Sequence, residues 1–157
     1  MIKIALFRPI DWIDKTICFF SRGNYSHVAF LLEDGSVIEA KPFKGVRKIP
    51  NLFFERSPKQ IIELYTANLT DEEELIIKNF LHKQIGKSYD YMSVLGFIIN
   101  KSEKGRKKTK RWFCSELVFC AFKKVNIKLL ERIDQWAVTP VLVSYSNKLK
   151  LNSVKNL

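Results

Sequence analysis

Three positions in the 157-residue chain combine residue types that could carry covalent chemistry: Cys114, His27 and Glu39. Cys114 stands at the start of an apolar-periodic stretch, Phe113 to Val125, that predicts an amphipathic helix. A thiol there lies against the positive end of the helix dipole and beside unpaired backbone N–H groups. Both features lower its pKa and favour the nucleophilic thiolate, and the same N–H groups could hold a developing oxyanion. The competing reading of Cys114 is a small buried core residue. Cys120 falls mid-helix between Phe119 and Ala121, and Cys18 sits beside Phe19 and Phe20. Neither has an activating neighbour, so both read as core.

A thiol needs a base. His27 lies near the start of a predicted strand, Ser26 to Leu32, and a strand histidine facing a helix N-terminus is one way to supply it. A hydrogen-bonded imidazole without a chemical role is the alternative. His82, next to Lys83 in a predicted helix, reads as surface. The base in turn needs a partner that fixes its tautomer. Glu39, set among Val37, Ile38 and Ala40, is an acid that would be costly to bury unpaired. Geometry decides whether the two meet. A two-residue turn at Asp34-Gly35 pairs Leu31 with Ile38 and puts Glu39 on the face opposite His27. A three-residue turn, Asp34-Gly35-Ser36, pairs Leu31 with Glu39 and gathers His27, Ala29, Leu31 and Glu39 on one face.

The elements that must position these residues follow from pattern. Ile2 to Phe7 predicts a strand ended by Pro9. Asp11 to Phe20 has helical spacing, with Asp11 as cap. Val37 to Lys41 returns from the turn, Val46 to Ile49 extends the sheet, and Gln60 to Tyr65 is a further strand. Thr70 caps a helix running to about Gln84 and stopped by Gly86. Tyr91 to Ile99 predicts a short helix, and Thr139-Pro140 another helix start. Lys148 to Leu157 reads as a loosely held tail. The expectation is one α+β domain over 1–157, antiparallel strands with helices packed against them.

The hydrophobic fraction, 46%, suits a globular chain. No apolar run reaches membrane-spanning length, and the first residues lack a signal-peptide pattern, so a cytoplasmic protein is expected. Three cysteines, an odd number, argue against a disulfide scaffold, and with no Cys-x-x-Cys pair and two histidines, no metal site is expected. The charge is the unusual bulk feature: 27 Lys and Arg against 16 Asp and Glu, net +11. Such a surface attracts nucleic acid, anionic lipid or acidic cell-wall polymers. Seven of the eleven residues from Lys101 to Arg111 are basic, a run read as a solvated loop.

Taken in order, Ser26-His27-Val28-Ala29-Phe30, Val37-Ile38-Glu39-Ala40, Gly86-Lys87-Ser88-Tyr89-Asp90, Phe113-Cys114-Ser115-Glu116-Leu117-Val118 and Val138-Thr139-Pro140 resemble the permuted papain-like hydrolases. These are the circularly permuted branch of the NlpC-type peptidases, related to lecithin–retinol acyltransferase, with His ahead of Cys. The resemblance spans roughly Ser26 to Leu142. It implies Cys114 as nucleophile, His27 as general base and Glu39 as the polar third member, with Tyr89, Tyr25 and Ser115 as substrate contacts. Ala29 departs from the glycine expected after His-Val, and the basic stretch of about 100–111 reads as an insertion.

The chemistry implied is cleavage of a peptide-like amide, with cell-wall peptides as one such substrate, through a thioester acyl-enzyme and without a cofactor. Two other readings compete. One keeps the site but acts on phospholipid or acyl esters, by hydrolysis or acyl transfer. The other is a non-catalytic basic module that binds nucleic acid or anionic lipid through Lys101 to Arg111, with Trp112 stacking on a base.

Overall fold

The computed structural model describes residues 1–90 and 111–156. Six strands form one antiparallel sheet: β1 (Lys3–Phe7), β2 (His27–Leu31), β3 (Val37–Lys41), β4 (Gly45–Ile49), β5 (Ile61–Ala67) and β8 (Leu149–Asn156), in the order β4-β3-β2-β1-β5-β8. Two short parallel strands, β6 (Ser88–Tyr89) and β7 (Arg111–Trp112), pair apart from it. The helices are α1 (Trp12–Ser21), α2 (Asp71–His82), α3 (Cys114–Lys123) and α4 (Pro140–Ser144), with a 3-10 turn at Gln135–Ala137.

Strand alternation sorts the sheet's side chains into two rows. Ile4, Leu6, Val28, Phe30 and Ile38 belong to a core shared with Leu117, Val118 and Phe122 of α3 and Ile77 and Leu81 of α2. Phe30 and Phe122 stack at 6.3 Å between ring centroids. Ala5, Phe7, Ala29, Val37, Ile62 and Leu64 form a second cluster with Ile49 and Leu52. Burial of eight of the ten residues of α3 explains why it is held firmly enough to present its first residue to a site.

Local chemistry sets the element ends. Asp11 caps α1 by accepting from Asp14 N at 2.8 Å. Thr70 and Glu73 form a reciprocal capping box on α2, an arrangement worth ~1 kcal/mol. Thr139 caps α4, whose first residue is Pro140.

The tail expected to be loose is instead an edge strand of the sheet. β8 pairs along the whole of β5, from Ile61↔Asn156 to Ala67↔Leu149. The β2–β3 hairpin also differs in detail. Its pairs are Phe30↔Ile38 and Leu31↔Val37, closed by Leu32 N on Ser36 O at 2.8 Å, so the loop is Glu33-Asp34-Gly35. Leu31 therefore pairs with Val37, neither Ile38 nor Glu39. The loop is still odd in length, and odd length is what places His27, Ala29 and Glu39 in one row. Asp34 favours this turn by accepting from the Ser36 N–H and hydroxyl, and Gly35 supplies the φ of 79° it needs. The helix expected at Tyr91 to Ile99 and the basic stretch up to residue 110 lie outside the described residues. No helix among the described residues is long and apolar enough to cross a membrane.

Candidate active site

Cys114 is the first residue of α3, and Phe113 before it is the N-cap, in extended conformation. Phenylalanine has no side-chain oxygen to cap with, and no side-chain cap bond is formed. The dipole end at Cys114 is thus not occupied by a capping side chain. The thiol is buried.

His27 opens β2 and joins two partners. Its Nε2 lies 2.8 Å from Glu39 Oε2, and its ring also hydrogen-bonds the Cys114 side chain. With Nε2 engaged by Glu39, Nδ1 is the nitrogen left for the thiol. Burial alone would depress the imidazole pKa; the bonds to Cys114 and Glu39 outweigh it and raise the pKa above its ordinary value. Phe7, the cross-strand partner of His27 on β1, lays its ring 5.2 Å from the imidazole and covers one side.

Glu39 is fully buried, at 0% exposure. Burial by itself would raise its pKa, but the hydrogen bond and charge interaction with His27, the charge of Arg56 and the hydrogen bond from Arg47 hold it well below the usual carboxylate range. Arg47, directly opposite on β4, donates from Nε at 3.0 Å and from Nη2 at 2.8 Å, both to Oε1. Arg56, in the loop after β4, donates from Nη2 to Oε2 and spreads over the Phe7 ring at 4.2 Å. Every lone-pair direction of this buried carboxylate that faces a partner is used, as burial of a charge requires.

Sequence reasoning missed both arginines. Arg47 had a signal: a hairpin joining β3 to β4 through residues 42–44 places it opposite Glu39. Arg56 lies in an irregular loop and had none.

The other expected residues are placed as follows. Tyr25 is buried, its hydroxyl donating to Glu63 Oε2 at 2.6 Å, where Tyr65 also donates at 3.1 Å. Ser115 is wholly buried and donates to the Val138 carbonyl at 2.6 Å. Its side chain ties the start of α3 to the segment before α4. Tyr89 is buried in β6, and the following Asp90 N–H donates to the Trp112 carbonyl at 3.0 Å. Trp112 packs edge-on against Phe80 and donates to Gln84, so its indole is committed to the fold.

The remaining cysteines are poor nucleophiles. Burial, with Asp14 nearby, pushes the Cys18 thiol up to about 11, and burial with Glu116 pushes Cys120 up to about 12. At neutral pH both are overwhelmingly thiols.

A thiol at a helix start, an imidazole bonded to it, and a buried carboxylate on the far ring nitrogen are the parts needed for nucleophilic attack on a carbonyl. Comparison with known proteins bears on the family and the fold. The family described as permuted papain-like amidases, YaeF/YiiX, C92 family, matches residues 6–138. Among solved structures the chain is similar to the metalloprotein YiiX from Escherichia coli O157:H7, at a TM-score of 0.72 and 14% identity, covering 98% of this chain and 96% of that one. At that identity the likeness speaks for the fold, and it bears out the α+β papain-like expectation. No curated protein matches. The relative is termed a metalloprotein; among the described residues here no group of three or more His, Cys, Asp and Glu could hold a metal ion. The imidazole and the carboxylate at the site are bound to each other, and the carboxylate also to two guanidinium groups, a donor set that does not suit a cation.

Proposed function

Since the chain belongs to the permuted papain-like amidases of the YaeF/YiiX, C92 family, and so to the hydrolases, we propose that it cleaves a peptide-like amide with Cys114 as nucleophile, His27 as general base and Glu39 as the group that orients His27. The observation that supports this most is the double engagement of His27, to the Cys114 side chain on one side and to Glu39 on the other.

On this reading His27 takes the Cys114 proton and the thiolate adds to the amide carbonyl. The oxyanion rests on backbone N–H groups of the first turn of α3. The imidazolium returns the proton to the leaving amine as the C–N bond breaks, which leaves a thioester on Cys114. Water, deprotonated by His27, then cleaves the thioester and restores the thiol. Glu39 remains a carboxylate throughout and holds the Nε2–H tautomer.

The test is alkylation by iodoacetamide across pH, with the modified cysteine mapped by mass spectrometry. Labelling of Cys114 faster than that of Cys18 and Cys120 is expected at neutral pH, lost in Cys114→Ser and retained in Cys120→Ser. Persistent labelling in the first variant, or equal labelling of all three cysteines, would refute the assignment. A substrate panel of peptide amides and acyl esters then separates amidase from esterase chemistry.

A further inference from the structure

Glu39 carries more cationic company than orientation of a histidine requires. Arg47 binds Oε1 through two nitrogens, and Arg56 shares Oε2 with His27. We propose that Arg47 and Arg56 are positioning residues that fix Glu39 as a carboxylate while drawing its charge away from His27, so that His27 stays a moderate base and is not locked as an imidazolium.

The proposal rests on the catalytic reading of Cys114 and His27. The charged groups around the pair are Glu39 and Lys41 on β3, Arg47 on β4, and Glu55 and Arg56 in the following loop. Cys114 faces the ring from α3, and Phe7 from β1 is uncharged. A lone carboxylate on a buried imidazole strongly favours its protonated form. Here the same oxygen serves a guanidinium as well, and a charged His27 would be a third cation around one anion. The imidazolium therefore gains less than Glu39 alone would give it. A base poised nearer neutrality serves both proton transfers of the reaction, taking the thiol proton and giving it to the amine.

The two arginines are themselves held. Glu55 sits in left-handed conformation, φ 55°, and its carboxylate receives Arg47 Nη1 at 2.9 Å and Lys44 Nζ at 2.7 Å. Arg56 keeps only 8% of its side chain exposed, and its Nε is buried with no hydrogen-bond partner. An orphaned N–H in a buried guanidinium is unfavourable for stability. Its retention beside Glu39 and Phe7 fits a group placed for its charge.

The chain has two histidines, His27 and His82, so the proposal can be read at a single resonance. Proton–carbon correlation NMR of the ring Cε1–H, in a Cys114→Ser and His82→Gln background, gives the His27 titration without a titrating thiol. Arg56→Gln should move the His27 midpoint up by about one pH unit. Arg56→Lys, which keeps the charge, should leave it near the starting value. A midpoint unchanged or lowered in folded Arg56→Gln overturns the proposal. Should that variant fail to fold, Arg47→Gln carries the same expectation of an upward shift and the same refutation. Failure of the catalytic reading is seen separately, as slow alkylation of Cys114 in the unaltered protein.

Discussion

Removing the charge of Glu39 and removing the ring of His27 are different perturbations. Glu39→Gln keeps the shape and an oxygen near the imidazole, but it leaves Arg56 without the carboxylate it pairs with and Arg47 with Glu55 alone. Breaking a buried pair in this way costs about 3–5 kcal/mol. We therefore expect Glu39→Gln to lower the urea midpoint substantially yet slow Cys114 alkylation at pH 7 less than His27→Ala does, since only the latter removes the thiol's partner. Alkylation as slow in Glu39→Gln as in His27→Ala would give Glu39 a larger part than orientation. The candidate pair was legible because chemistry restricts the options: one cysteine of three starts a helix, and one histidine of two lies on a strand. Arg56 was not legible, because its place depends on where an irregular loop returns, and no residue periodicity encodes that.

At the scale of elements, the site depends on how β4 meets the segment leading to β6. Gly86 N donates to Val46 O and Val46 N to Lys87 O, each at 2.8 Å, and this docking brings Tyr89 and Asp90 alongside the sheet. Gly45 makes the approach possible. Its φ is 67°, and a Cβ there would lie 2.4 Å from the Lys87 carbonyl oxygen, a backbone atom that cannot swing aside. Gly45→Ala should destabilise by about 1–3 kcal/mol through strain and clash together, measured by urea unfolding. A neutral effect would mean that residues 86–88 dock more loosely than their two hydrogen bonds imply. Buried elements were readable: β1, β2 and β3 as short runs rich in apolar residues and buried on both faces, α2 and α3 by their helical apolar spacing. β8 was not, because all but Leu149 and Ser153 of its residues are exposed and its order comes from backbone pairing with β5. β6 and β7, two residues each, are too short for any period. The hairpin register needed the Asp34–Ser36 bonds, which select the Glu33-Asp34-Gly35 loop over the two alternatives that pattern allowed.

For the molecule as a whole, the buried carboxylates Glu39 and Glu63 and the buried imidazole of His27 shape how stability responds to pH. Burial would raise the pKa of Glu63, but the hydrogen bonds from Tyr25, Arg8 and Tyr65 hold it below its ordinary value, and Glu39 is likewise depressed. A carboxylate depressed on folding contributes stability that is fully present above its ordinary pKa, 4.5, and is lost as pH falls toward the folded value. His27 is raised, so its contribution is present below 6.5 and is lost as pH rises through the folded value. The two trends enclose a plateau between about pH 4.5 and 6.5. Below it each depressed carboxylate steepens the fall by about 1.4 kcal/mol per pH unit, and a chain of net charge +11 adds growing self-repulsion as its other acids protonate. Glu63→Gln isolates one of these contributions away from Glu39. It should lower stability on the plateau, where Arg8 loses its partner, but flatten the acid limb, so that the variant and the unaltered protein converge as pH falls. Urea midpoints measured from pH 3 to 7 test this. Parallel limbs would assign the acid sensitivity to Glu39 and its two arginines, and would leave the Tyr25–Glu63–Tyr65 cluster as a pH-indifferent brace.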